Sequence, residues 1–285
     1  MKKVLITGGT GLIGKRLSFL LASRGYEVRI LSRSNSLKNN YKTFLWNVTE
    51  QYINDSAFEG LNHIIHLAGA GIADKRWSEK RKKEIIDSRV ASTNLLYNTV
   101  KRLEIPLSSF ISASATGFYG AVTSETIFKE IDKPAKDFLG KVCSLWERSI
   151  FQFKEIKIRT VALRTGIVLS KDGGALKKMK TPIITALGNG KQYMTWIHID
   201  DLCELYIKAI EDQEFKGAFN AVSSEHISNL SFSKKISKIF NYPFLALGAP
   251  SLILQIVFGE MSTIILNGSR ISGNKIKHAG FRFKL

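Results

Sequence analysis

Residues 3–14, KVLITGGTGLIG, set a short apolar strand directly before a glycine-rich turn, and an amphipathic run, KRLSFLLASRG, continues from it. This order constrains the chain more than any other feature. Glycines in a strand-to-helix turn let the backbone approach a pyrophosphate, and the helix N-terminus offers unpaired N–H groups and the positive end of its dipole. Gly8, Gly11 and Gly14 are the three glycines, and a second strand-like run, EVRILS, follows at 27–32. Glycine spacing alone is weak, but here it sits inside a strand–helix–strand context, which points to a dinucleotide site. The alternative is a tight turn that binds nothing.

Strand-like runs recur at 3–7, 27–32, 63–67, 108–113 and 157–163, with helical patterns between most of them. That alternation predicts an α/β fold, a Rossmann-like, doubly wound parallel sheet. The pattern loosens after about residue 166. We expect the dinucleotide-binding domain over 1–170, with the chain returning to it around 190–222. A smaller C-terminal α+β substrate lobe is expected over 171–285, above the carboxyl ends of the strands. In this reading Asp200 caps the helix LCELYIKAIE.

The length of 285 residues and the 44% apolar content fit one large α/β domain or two lobes. The first strand begins at Lys3, so no cleavable leader is expected. Cys143 and Cys203 stand in no metal or redox spacing, which predicts no metal site and a reducing, cytoplasmic setting. The uncharged stretch Tyr242–Gly259 contains two prolines, Gly248 and Gln255. It reads as a lobe helix rather than a membrane span, so no membrane partner is expected. The net charge of +18 invites a nucleic-acid reading, yet the lysines are scattered. The densest run, KRWSEKRKKE, is broken by Glu79 and Glu84, and no aromatic residues interleave in the manner of RNA-binding sheets. A solvated lysine surface that attracts an anionic small-molecule substrate is the expectation, with no nucleic acid.

The second strand ends in Ser32, Arg33 and Ser34, and no acid occurs from Ile30 to Leu37. An NAD site normally carries a carboxylate there for the ribose hydroxyls, whereas an arginine fork suits a 2′-phosphate. NADP is therefore expected in preference to NAD; the alternative for Arg33 is an exposed loop arginine. On the helix over 78–101, Arg89 falls three residues after Ile86, on the covered side. A guanidinium there needs a carboxylate, a carbonyl or a cofactor group.

Several segments together carry a family resemblance: TGGTGLIG, HLAGAGIADKRWSEKRKKEIIDSR, ISASATGFYG, LWE, LRTGIVLSKDGGAL, MTWIHIDDL and HAGFRF. They span nearly the whole chain and resemble the epimerase-like branch of the extended, atypical short-chain dehydrogenase/reductases, NAD-dependent epimerase/dehydratase proteins with a C-terminal domain of uncharacterised function. The resemblance implies a cofactor site built from the glycine loop (Gly8, Thr10, Gly11, Leu12, Ile13, Gly14), Ser32, Arg33, and the turn Leu67, Ala68 and Gly69. Glu84, Arg89 and the segment Arg164 to Ile167 would complete it. It further implies that Ser114 holds a substrate oxygen; the alternative is that Ser112 and Ser114 only satisfy local backbone groups. A homodimer is left open.

One departure from the family matters for activity. Short-chain dehydrogenases carry Tyr-x-x-x-Lys on the helix after the serine, as a proton-transfer pair. Taking Glu147 of the WE pair as landmark, those positions here fall at Leu139 and Cys143. The motif at Tyr97 and Lys101 precedes Ser114 and reads as a packed tyrosine with a surface lysine. Tyr119, Lys141, Tyr193 and His198 are the substitute groups, and Tyr119 is the catalytic candidate beside Ser114. The resulting expectation is an NADP-binding oxidoreductase or epimerase that moves hydride to or from a carbonyl or carbinol of a small, sugar-nucleotide-like substrate. The alternative is a non-catalytic NADP-binding redox sensor or scaffold.

Overall fold

The computed structural model describes residues 1–34 and 40–284, so positions 35–37 of the acid-free stretch lie outside the described residues. The first half runs β1 (Lys3–Thr7), α1 (Leu12–Ser23), β2 (Glu27–Ser32), β3 (Lys42–Asn47), β4 (Tyr52–Ile53), β5 (His63–His66), α2 (Glu79–Arg102) and β6 (Ser109–Ala115). Then come β7 (Ile127–Phe128), α3 (Phe138–Phe151), β8 (Arg159–Thr165), β9 (Ile167–Ser170), α4 (Gly174–Met179), β10 (Ile184–Leu187), β11 (Tyr193–Met194) and β12 (Trp196–His198). The chain closes with α5 (Ile199–Glu211), β13 (Gly217–Ala221), β14 (Ile227–Ser228), α6 (Asn229–Phe240), β15 (Phe244–Ala249), α7 (Ser251–Phe258), α8 (Thr263–Leu266), β16 (Arg270–Ile271) and α9 (Asn274–His278).

The main sheet has the order β13-β8-β6-β5-β1-β2-β3-β4, and every pair in it is parallel except β3 with β4. Both faces are covered, which is why its strands read as continuous apolar runs. Side chains alternate between the two layers. Val4, Ile6, Ile65 and Ile111 pack with Leu202, Leu205 and Tyr206 of α5. Leu5, Ile64 and Phe110 face Leu95, Leu96 and Val100 of α2 and Trp146 and Ile150 of α3. Each such side chain removed from water contributes roughly 1.5–3 kcal/mol.

Three strands of this sheet, β3, β4 and β13, were not among the expected runs; β4 is only two residues long, too short to show a pattern. β3 alternates, with Phe44 and Trp46 buried and its other positions partly exposed, so its signal is period two rather than a run. β13, GAFNA, is short and glycine-led, and only its register with β8 declares it a strand. The helix start near residue 200 also differs from expectation. His198 is the N-cap, its Nδ1 accepting the Asp200 N–H at 3.2 Å, while Asp200 sits in the first turn and pairs with Arg16 at 2.6 Å.

β1 and β5 are neighbours whose outgoing connections diverge, one toward β2 and the other toward β6. That is the topological switch point where such sheets bind ligands, and residues 8–11 and 67–70 flank it. After β9 the chain builds a small layer in which α6 packs Phe232 and Ile236 on Ile184 of β10, which pairs with β15. Within this region it returns twice to the main core: α5 and β13 rejoin it between β12 and α6, and Ile276 of α9 and Phe281 do so near the end. The region after residue 171 is thus not one body in space, because the apolar face of the C-terminal tail is buried on the sheet.

Candidate functional site

The glycine turn is built for close approach. Gly8 has φ +70°, and a Cβ there would stand 3.0 Å from the Ala68 nitrogen and the Leu67 carbonyl carbon. The turn is therefore pressed against the Leu67–Gly69 segment. Gly11 caps α1 without any side-chain hydrogen bond, no acidic residue occupies the first turn, and Thr10 and Gly11 are exposed. The α1 N–H groups and dipole are left for an anion. Leu12 and Ile13 are half-buried, and Leu12 lies against Gly173 and Gly174 beyond β9.

A buried network fixes this geometry. The Thr7 hydroxyl accepts the N–H groups of Leu67 (3.1 Å) and Ala68 (3.2 Å) and meets His66 Nδ1 at 2.7 Å. With both lone pairs engaged, Thr7 donates its proton to Nδ1, so the neutral imidazole carries its own on Nε2 and donates to Ser92 Oγ at 3.1 Å. The Ala70 N–H in turn donates to Ser88 Oγ at 2.9 Å, so the turn after β5 is docked on α2.

Burial pushes the His66 pKa down to about 3. Its folded value lies below the unfolded one near 6.5, so the unfolded chain takes the proton first. Its stabilising contribution is complete above pH 6.5 and is lost as pH falls toward 3. Between pH 7 and pH 5 we expect His66 to account for about 2 kcal/mol of lost stability. Urea midpoints at the two pH values measure it, and His66→Asn should shrink the loss; an unchanged loss would remove His66 as the cause.

Arg89 projects from α2 against the same turn: a Cβ on Gly69 would lie 3.3 Å from its Cζ. The guanidinium donates to the Ile85 carbonyl at 2.9 Å and sits 5.0 Å from the Trp146 ring centroid. Among the described residues no carboxylate pairs with it, and burial lowers its pKa from the usual arginine value. Its carbonyl and ring contacts supply no counter-charge, so an anionic ligand beside it would be favoured. Arg33, at the carboxyl end of β2, is exposed beside half-buried Ser32, whose hydroxyl accepts the Ser34 N–H at 3.2 Å. Glu84 is turned to Arg81 at 2.7 Å, which holds its carboxyl below the usual range, while Arg81 also grips the Gly71 carbonyl at 2.5 Å. Glu84 thus acts on the turn through Arg81. These features suit a dinucleotide phosphate backbone: a cradle that side chains would fill, an uncapped helix start and a half-buried arginine with no carboxylate beside it among the described residues.

Next to this lies a second polar cluster. Ser114 Oγ donates to Glu147 Oε1 at 2.7 Å, and Arg164 grips the same carboxylate with Nε and Nη2, both at 2.8 Å. Arg164 Nη1 donates to the Tyr119 hydroxyl at 2.9 Å, which donates to Asn220 Oδ1 at 2.7 Å. Its guanidinium carbon stands 3.4 Å from the Phe118 ring centroid. Burial would lower the Arg164 pKa, but the Glu147 ion pair outweighs it and raises it. Burial pushes the Tyr119 phenol up to about 12. Ile167 starts β9 and is half-buried opposite Trp196 of β12.

Leu139 and Cys143, which the family resemblance sets at the tyrosine and lysine positions, face Gly117, and burial pushes the Cys143 thiol up to about 12. Tyr97 packs edge-on against Phe153 while Lys101 is exposed, as the packed-tyrosine reading expects. Lys141 is exposed, Tyr193 bonds Glu125 at 2.9 Å, and His198 is spent as a helix cap. Ser112 serves backbone carbonyls of His66 and Ala113.

Sequence reading missed Thr7, His66 and the role of Glu147. Glu147 had a signal: it follows Cys143 by four residues and precedes Ile150 by three on the buried stripe of α3, where a carboxylate requires a cation. Thr7 and His66 had none beyond standing at strand ends.

Comparison with known proteins bears on this geometry. The sequence model of the NAD dependent epimerase/dehydratase family matches residues 4–146, and a domain of unknown function (DUF1731) matches residues 249–285. An epimerase family protein of Staphylococcus aureus (strain NCTC 8325) is 33% identical over 288 residues, covering 100% of this chain and 95% of its own. One from Staphylococcus epidermidis is 34% identical over 296 residues, with 100% and 95% covered. Among solved structures, the human epimerase family protein SDR39U1 (isoform 2), crystallised with NADPH, superposes with a TM-score of 0.86 at 26% identity, covering 99% of this chain and 95% of that one. The nucleoside-diphosphate sugar epimerase of Corynebacterium glutamicum gives 0.78 at 28% identity over 100% of this chain and 56% of that one.

Proposed function

This chain belongs to the NAD-dependent epimerase/dehydratase family, and from that premise we propose that it binds NADP(H) and acts as an oxidoreductase or epimerase on a carbonyl or carbinol of a small substrate. The observation that carries the reading is Arg89, a half-buried guanidinium against the Leu67–Gly69 turn with no carboxylate partner among the described residues. The glycine turn and the uncapped start of α1 would take the pyrophosphate, and Arg33 the 2′-phosphate. The human relative was crystallised with NADPH, which supports the same choice over NAD. When bound, the nicotinamide supplies the hydride donor and acceptor.

Ser114 gives its proton to Glu147, so its free lone pairs suit a substrate hydroxyl that donates rather than a carbonyl that accepts. Tyr119 is fixed between Arg164 and Asn220 and is assigned to positioning, not proton transfer. The sugar-nucleotide character of the substrate rests on family likeness, including the Corynebacterium glutamicum protein.

NADPH at saturating concentration is expected to raise the melting temperature by roughly 5 °C, well beyond NADH, by binding only the native state. Arg33→Ala should erase that preference. Equal shifts for the two cofactors in the unmodified protein would sink the NADP assignment. A second reading, a non-catalytic NADP(H) sensor, is favoured by Leu139 and Cys143 standing where the proton-transfer pair belongs. Absence of NADPH oxidation across a panel of aldehydes, ketones and nucleotide sugars would decide for it.

A further inference from the structure

α7 has no buried residue at all, although it is a helix of almost pure hydrocarbon, SLILQIVF. Leu252, Ile253, Ile256 and Val257 form one contiguous exposed stripe, with Leu252 67% and Ile256 66% exposed. β15, which leads into α7 through Pro250, adds Leu247 at 78% and Leu245 at 50%. The start of α7 is held on the end of β10, where a Cβ on Gly188 would meet Ser251 Oγ at 2.9 Å. Exposed apolar surface of this extent on a protein rimmed by polar residues marks an interaction face.

The charge around it selects the partner. Residues 171–191 carry five exposed lysines and a single acid, Asp172, and residues 229–258 carry three exposed lysines and no acid. Two of these lysines border the apolar layer directly: Lys180 stands 5.5 Å from the Phe240 ring centroid and Lys234 5.9 Å from that of Phe244. One of the eight, Lys235, is neutralised by Glu225 at 2.5 Å. A second copy of this chain would bring like charges together on a protein of net charge +18, whereas an anionic surface meets both the apolar stripe and its cationic rim. No helix among the described residues is long and apolar enough to cross a membrane. We propose that the α7–β15 face docks in the interface of an anionic lipid bilayer, with the stripe among the acyl chains and the lysines at the headgroups. This revises the expectation of no membrane partner and is independent of the cofactor assignment.

The test is co-sedimentation of the full chain with vesicles of phosphatidylcholine alone and of phosphatidylcholine mixed with phosphatidylglycerol. Binding is expected to the mixed vesicles only and to weaken with salt, since surface charges are screened over ~10 Å at moderate ionic strength. Leu252→Asp/Ile256→Asp should reduce the partition coefficient at least ~tenfold by removing apolar insertion. Because both side chains are exposed, circular dichroism and melting temperature should stay as in the unmodified protein. Failure to bind mixed vesicles would overturn the proposal. So would equal binding by the double variant, which would reveal adsorption by net charge alone. Sedimentation velocity covers the remaining occupant: a dimer that the double variant dissociates, with no vesicle binding, would assign the face to self-association instead.

Discussion

Replacing Gly14 by alanine is expected to lower stability by about 3 kcal/mol through overpacking, while the same change at Gly11 leaves the fold intact and removes the cofactor. A Cβ on Gly14 would stand 2.3 Å from the Gly8 carbonyl oxygen and 2.6 Å from the Gly9 Cα, both backbone atoms that cannot swing aside. Alanine's better helix propensity returns only about 1 kcal/mol, so the clash wins. Gly11 has φ −74° and ψ 174°, ordinary for alanine, and its nearest contact is the Gly8 oxygen at 3.3 Å. In the proposed cofactor placement its exposed methyl would stand at the turn that takes the pyrophosphate. Urea denaturation should therefore separate the two variants by ~2 kcal/mol or more, and NADPH titration should show at least a ~tenfold loss for Gly11→Ala. Full NADPH affinity in Gly11→Ala would show that the phosphates lie elsewhere.

The second large effect is expected at the buried pair of Glu147 and Arg164. Glu147→Ala strands a guanidinium that is 4% exposed and leaves Ser114 without its acceptor. Removing one member of such a pair costs about 3–5 kcal/mol, because the survivor keeps its desolvation penalty and loses its partner. Replacing both, Glu147→Leu with Arg164→Met, should recover most of that loss, since an apolar pair of similar volume is often close to neutral. The cluster joins β6, α3, β8 and, through Tyr119 and Asn220, β13 and the Ser272 carbonyl of the C-terminal tail. A single variant with an unchanged urea midpoint would show that the cluster holds nothing together. A double variant no better than Glu147→Ala would show that packing, not the stranded charge, carries the cost.

The sheet was legible where both its faces are buried. β1, β2, β5, β6 and β8 appear as apolar runs because parallel strands under helices leave no polar face. β3, β4 and β13 escaped because an edge-side strand alternates, a two-residue strand shows no pattern and a glycine-led one carries little side chain to read. The start of α5 was misplaced for a local reason: Asp200 has the stronger capping propensity, but Arg16 of α1 draws its carboxylate away and His198 takes the cap.

By itself the sequence determined the doubly wound sheet and the glycine turn, and the family resemblance placed Leu139 and Cys143 where the proton-transfer pair is expected. The first two are properties of single segments, set by hydrophobic period and glycine sterics. Only the tertiary structure decided what each polar group does. Arg89 comes to the turn after β5 without a carboxylate, Ser114 yields its proton to a glutamate 33 residues away, and Tyr119 is spent on Arg164 and Asn220. A hydrogen bond is a relation between two residues at about 3 Å, and no pattern along one segment records which distant partner the fold will bring there.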